Sequence, residues 1–156
     1  MEKEIIVNDQ KYSFHYRDDS KFWYLGYEEV DIFKLGSKTN LTINKENVDW
    51  EEVYGFLQFI TKDVNANKQK YELANSKLKV FFKEMYLKIN PHLDYEQIYF
   101  TLCNIDYLGF VLQNENLVYQ YTLNFNVGSI ADNDFFSYDS WNVSFLNDEF
   151  KEVSKS

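Results

Sequence analysis

The chain has 156 residues and a net charge of −9, with 25 acids against 16 bases, 14 Phe, 13 Tyr, 3 Trp, one cysteine and two histidines. Such a ring content fills the core of one domain, because each ring can bury roughly 150–250 Å², and it excludes a disordered chain; the lone cysteine excludes an intrachain disulfide, and with two histidines it cannot make the usual structural zinc set. No apolar run approaches the ~18 residues of a membrane span, and the first residues show no export signal, so a cytoplasmic domain is expected and the Asn40-Leu41-Thr42 and Asn142-Val143-Ser144 sequons are read as chance.

The first forty-odd residues predict a β-meander. A short strand at Ile5 to Val7 turns at Asn8-Asp9-Gln10 into Lys11 to Arg17, where Tyr12, Phe14 and Tyr16 alternate with Lys11, Ser13, His15 and Arg17. Asp18-Asp19-Ser20 leads to Phe22 to Tyr27, apolar on both faces and read as a central strand. A further strand is expected over Val30 to Leu35, followed by a turn at residues 36–40 and a strand at Leu41 to Ile43.

Asp49 is placed to cap a helix, with Glu52 completing a capping box and Val48 and Val53 a hydrophobic staple. Val53, Phe56, Leu57, Ile60 and Val64 form its buried stripe. Gly55 costs the helix about 0.8–1.0 kcal/mol relative to alanine, which implies the close approach of a neighbour. Asn65-Ala66-Asn67 is expected to break the run. A second helix follows to about Lys88, with Tyr71, Ala74, Leu78, Phe81 and Met85 on one line, Leu73, Val80 and Leu87 beside it, and Asn90-Pro91 ending it.

Residues 94–102 fit a short helix capped by Asp94, although Ile98, Phe100 and Leu102 also alternate as in a strand. Strands are expected at Ile105 to Gln113 and at Leu117 to Val127, joined at residues 114–116. The second turns Leu117, Tyr119, Tyr121, Leu123, Phe125 and Val127 one way. A polar stretch, Gly128 to Asp139, precedes a hairpin of Trp141 to Phe145 and Phe150 to Ser154. Strands, then helices, then strands predict an α+β domain over 1–156, an antiparallel twisted β-sheet with a helical pair packed on one face.

Between Lys88 and Lys151 there is no lysine or arginine, while nine carboxylates and fourteen rings fall in that run. The only arginine is Arg17. Such a surface suits a basic protein partner and disfavours nucleic acid and membranes, since gripping phosphate or guanine is chiefly arginine work. The non-periodic part of the run holds the candidate contact residues: Asp132, Asp134, Phe135, Phe136, Tyr138 and Asp139. The same acids do not make a calcium loop. Counting from Asp132, Phe136 stands at the fifth position, Ser137 at the sixth where glycine is needed, and Val143 at the twelfth instead of glutamate.

No catalytic, metal or cofactor set is legible. His15 lies on a polar strand face, His92 follows a helix C-terminus where an imidazolium suits the dipole, and Cys103 has no hydrolase signature around it. Lys68, Lys70, Lys77, Lys79, Lys83 and Lys88 read as the solvent face of the second helix.

The N-terminal strands, the helical pair and the closing Trp141-x-Val143-x-Phe145 hairpin resemble the small acidic immunity proteins encoded beside bacterial polymorphic toxins. That resemblance implies a non-catalytic inhibitor, and complementary charge with buried rings is what such a binder needs. Two other readings remain open at this point: an acidic DNA mimic acting against a defence system, and a small-ligand-binding domain or enzyme with an aromatic pocket. The oligomeric state is not legible.

Overall fold

The computed structural model describes residues 1–26, 30–129 and 140–156. Among the described residues eight strands form one sheet in sequence order: β1 (Glu2–Val7), β2 (Gln10–Arg17), β3 (Phe22–Tyr24), β4 (Asn40–Ile43), β5 (Ile98–Gln113), β6 (Asn116–Ser129), β7 (Trp141–Leu146) and β8 (Glu149–Lys155). Two helices, α1 (Trp50–Lys62) and α2 (Val64–Tyr86), connect β4 to β5, which pair in parallel; the other pairings are antiparallel. The α+β class and the helical pair on a sheet are as expected. The parallel pair is the addition: a helical crossover is what lets neighbouring strands run the same way.

Period-two patterning set most strands. Tyr12, Phe14, Tyr121, Leu123, Phe125, Trp141, Val143 and Phe145 are all buried on the helix side, as their alternation required. Tight turns with left-handed residues close the hairpins at Asn8-Asp9 and Asn114-Glu115, a geometry asparagine and aspartate tolerate well and glutamate less readily.

Several expectations are corrected. Val30 to Leu35 is a turn, not a strand: the Asp31 carboxylate accepts from Leu35 N (3.1 Å) and Gly36 N (2.7 Å), and Lys34 and Gly36 have positive φ. Ile32 and Phe33 are buried all the same, and only Val30 bridges Thr39. The strand expected over Phe22 to Tyr27 shrinks to three residues, internal to the sheet, and Tyr27 lies outside the described residues. The helix break falls at Asp63, not at Asn65-Ala66-Asn67, because Asp63 is extended and accepts from Ala66 N (3.0 Å) as the cap of α2. Val64 therefore begins α2 and is exposed. Only Tyr95–Gln97 makes a single 3-10 turn, capped by Asp94; from Ile98 onward the alternation is that of β5.

α1 joins the two halves of the sheet. Trp50 packs against Phe14 (ring centroids 5.5 Å) and edge-on to Trp23 (4.9 Å), while Phe56 stacks on Tyr107 at 4.4 Å. Asp49 caps its start, accepting from Glu51 N at 3.0 Å. Glu52 does not serve the capping box: its Oε1 takes the Tyr107 hydroxyl and stands 3.4 Å from Lys45 Nζ. Burial and this carboxylate together push the Tyr107 hydroxyl far above the ordinary phenol range.

Candidate functional site

Only one face of the sheet carries the helices. On the other, among the described residues, polar side chains of β4 to β7, with Asn44 and Ser156 at the two ends, form a hydrogen-bonded row. Asn44 Nδ2 donates to both oxygens of Asp106 (2.9 and 3.1 Å), and Thr42 Oγ1 donates to Asp106 Oδ1 (3.1 Å). Asn104 Nδ2 donates to Thr42 Oγ1 (3.0 Å) and to Asn124 Oδ1 (2.8 Å). Asn124 Nδ2 donates to Asn142 Oδ1 (2.6 Å), whose own Nδ2 reaches Ser156 Oγ at 3.4 Å. Thr122 and Ser144 share a further bond at 3.2 Å.

The row exists because these positions are the polar half of the period-two pattern. Register aligns them: Thr42 stands beside Asp106, Thr122 beside Asp106 and Ser144, and Asn124 beside Asn104 and Asn142. A β-bulge at Cys103, whose Sγ donates to Asn124 O (3.1 Å), shifts Asn104 and Asp106 onto this face. Asp106 is half-buried, and desolvation raises its carboxyl above the usual range, partly offset by the Thr42 hydroxyl. Thr101 and Asn126, paired across β5 and β6 further along the strands from Asn104 and Asn124, are exposed, with half-exposed Tyr99 covering Gly128 beside them.

The expected contact residues Asp132, Asp134, Phe135, Phe136, Tyr138 and Asp139 lie outside the described residues. They follow β6 and precede β7, the two strands that carry Asn124 and Asn142. The cation-free run therefore spans β5, β6 and β7, so the middle of the open face has acceptors, donors and one carboxylate but no lysine or arginine. Among the described residues most of the rings in that run are core: Phe100, Tyr107, Tyr119, Tyr121, Phe125, Trp141 and Phe145 are buried, and Tyr99 and Phe110 are the exposed ones.

His15 is a partly exposed strand residue 4.0 Å from Glu2, and His92 is exposed in the turn after α2. No group of three His, Cys, Asp or Glu side chains among the described residues is arranged to hold a metal. No helix among the described residues is long and apolar enough to cross a membrane.

Lys70 breaks the lysine pattern of α2. Only 3% exposed, its ammonium lies 2.8 Å from Asp148 and donates to the Tyr121 hydroxyl at 3.0 Å, with the rings of Phe59, Tyr121 and Phe33 at 5.1 to 5.6 Å. Burial lowers its pKa, while Asp148 acts the other way. The signal was present in the sequence: Asn67, Lys70, Ala74 and Leu78 keep helical spacing, and all four are buried. Conversely Leu73, Val80 and Leu87, expected as a second buried line, are exposed, as is Met85.

The fold and this face define the class: an α+β domain with one helix-covered and one hydrogen-bonding sheet face. No protein-family model, no curated protein and no solved structure matches the chain.

Proposed function

We propose that the protein is a non-catalytic binding module of the immunity or inhibitor type, which neutralises a basic toxin through the open sheet face and the acidic, aromatic segment 130–139. The observation that carries this reading is the fixed polar row from Asn44 to Ser156, which crosses the four strands β4 to β7, none of which carries a lysine or arginine. Its side chains are already held by one another, so little conformational entropy is lost when a partner docks. A net charge of −9 steers a cationic partner and speeds encounter. A toxin that cleaves nucleic acid carries cations at its own site, which makes nucleases the best-matched class. The row also weighs against a DNA mimic, which needs carboxylates repeated at phosphate-like spacing; here Asp106 is its only carboxylate.

The test is co-expression with the product of the adjacent gene, scored as rescue from toxicity and as a purified complex. Association rates at low salt then locate the contact. Thr101→Lys with Asn126→Lys places two cations on the open face, and Asp132→Asn, Asp134→Asn and Asp139→Asn remove three anions from the loop. Both sets are expected to slow association roughly tenfold or more and to flatten its salt dependence. A harmless neighbour that does not bind removes the immunity reading, and unchanged on-rates in both sets move the interface elsewhere.

A further inference from the structure

A cavity of about 330 Å³ opens between the first turns of α2 and the loop from Phe33 to Thr39. Its size falls at the lower end of the range for small-molecule sites, roughly 300–1,000 Å³. The floor is apolar: Phe33 and Leu102 are buried in it, and Leu35 and Tyr71 are half-buried. The walls are held before any ligand arrives. Asp31 fixes the loop through Leu35 and Gly36, Asn67 Nδ2 donates to Ile60 O (2.7 Å) and Phe33 O (3.4 Å), and the Tyr71 hydroxyl donates to Phe100 O (3.2 Å).

Two polar features stand in this apolar setting. Thr39 lines the wall, is 1% exposed, and its hydroxyl has no hydrogen-bond partner. That hydroxyl has no surface open to the cavity, so it is an unfavourable feature of the wall and not a contact for a ligand. Lys68 and Glu72 stand one helical turn apart at the mouth, both exposed, and neither forms an ion pair with another described residue. A cation and an anion beside one opening suit a molecule that carries both signs. A net anion is disfavoured by the charge of −9, and a simple amine leaves Lys68 unanswered.

We propose that this cavity binds a zwitterionic small molecule with an apolar body, of the amino-acid class. Its carboxylate accepts from Lys68, its ammonium faces Glu72, and its side chain lies on Phe33, Leu35, Tyr71 and Leu102. The site is on the helix side of the sheet, and the inference is independent of the partner proposed for the open face.

The test is a titration of the isotope-labelled full chain with L-phenylalanine, followed by backbone amide shifts. Saturable shifts are expected at residues 33–39, 68–72 and 102, with 3-phenylpropanoate and 2-phenylethylamine each binding at least ~fivefold more weakly. Ser37→Trp, at an exposed position on the mouth, is expected to abolish binding without unfolding the chain. No saturable shift below ~10 mM, a level where binding free energy is only a few kcal/mol, overturns the proposal, as does binding that survives Ser37→Trp. Equal affinity for the two single-charge analogues overturns the zwitterion assignment.

Discussion

Asp148, in the turn between β7 and β8, reaches Lys70 of α2 across 2.8 Å and ties the last hairpin to the long helix. The two ends of this ion pair differ in exposure: the Lys70 side chain is 4% exposed and that of Asp148 57%. Tyr121 completes the tie, accepting from Lys70 and donating to Asn147 O at 2.6 Å.

That asymmetry predicts opposite results for the two partners. Asp148→Ala leaves an ammonium buried among three rings with its carboxylate gone, a change expected to cost ~3 kcal/mol. Lys70→Met removes the buried charge, keeps a similar volume and leaves Asp148 to water, so it is expected to change stability by less than ~1 kcal/mol or to stabilise. The pH sign follows from the lowered Lys70 pKa. Between that value and the ordinary lysine value of 10.5 the unfolded chain holds a proton that the folded one has released, so wild type gains stability relative to Lys70→Met as pH rises through that window. Urea unfolding of the three proteins from pH 7 to 10 measures both effects, and an Asp148→Ala loss no larger than that of Lys70→Met removes this account of the pair.

Gly55 predicts a conditional substitution. A Cβ built there stands 2.5 Å from the Tyr119 hydroxyl and 3.7 Å from the ring carbon bearing it. Gly55→Ala alone gains about 0.8–1.0 kcal/mol of helix propensity but forces Tyr119, packed between Phe56, Phe59 and Tyr107, to move. A net loss of ~1 kcal/mol is expected. In a Tyr119→Phe background the obstructing oxygen is gone and the same substitution is expected to stabilise. A double-mutant cycle with no coupling between the two sites sinks the explanation.

The packed half of the molecule was the half that a sequence exposes. Tyr12 and Phe14, or Leu123 and Phe125, alternate because strand geometry forces it, and Asp49 and Asp94 announce helix starts through a side chain that needs a particular neighbour. Ile32 and Phe33 misled for the same reason: their burial is real, but Asp31 folds the loop that delivers them. Glu52 and Lys70 were misassigned because their partners, Tyr107 and Asp148, lie far along the chain, where spacing carries no information. The polar row was hidden differently. Each of its asparagines and threonines looks like an ordinary solvent-facing strand residue, and only register across four strands makes them one surface.

Asp106 gives that surface a measurable signature. Its carboxyl is raised by burial, so between the unfolded value near 3.8 and the higher folded value the folded chain holds a proton that the unfolded chain has lost. Folding is thereby favoured at the acid end of this window, and the contribution is lost as pH rises through the folded value. Asp106→Asn keeps the shape and one acceptor for Asn44 and Thr42 but cannot ionise. The stability difference between variant and wild type is therefore expected to shift in favour of the variant as pH rises from ~4 to 7, whatever its offset from the lost second acceptor. Melting curves of the two proteins across that range measure the slope. Parallel curves mean that Asp106 ionises as freely in the folded chain as in the unfolded one, and that water, not its neighbours in the row, solvates the carboxylate.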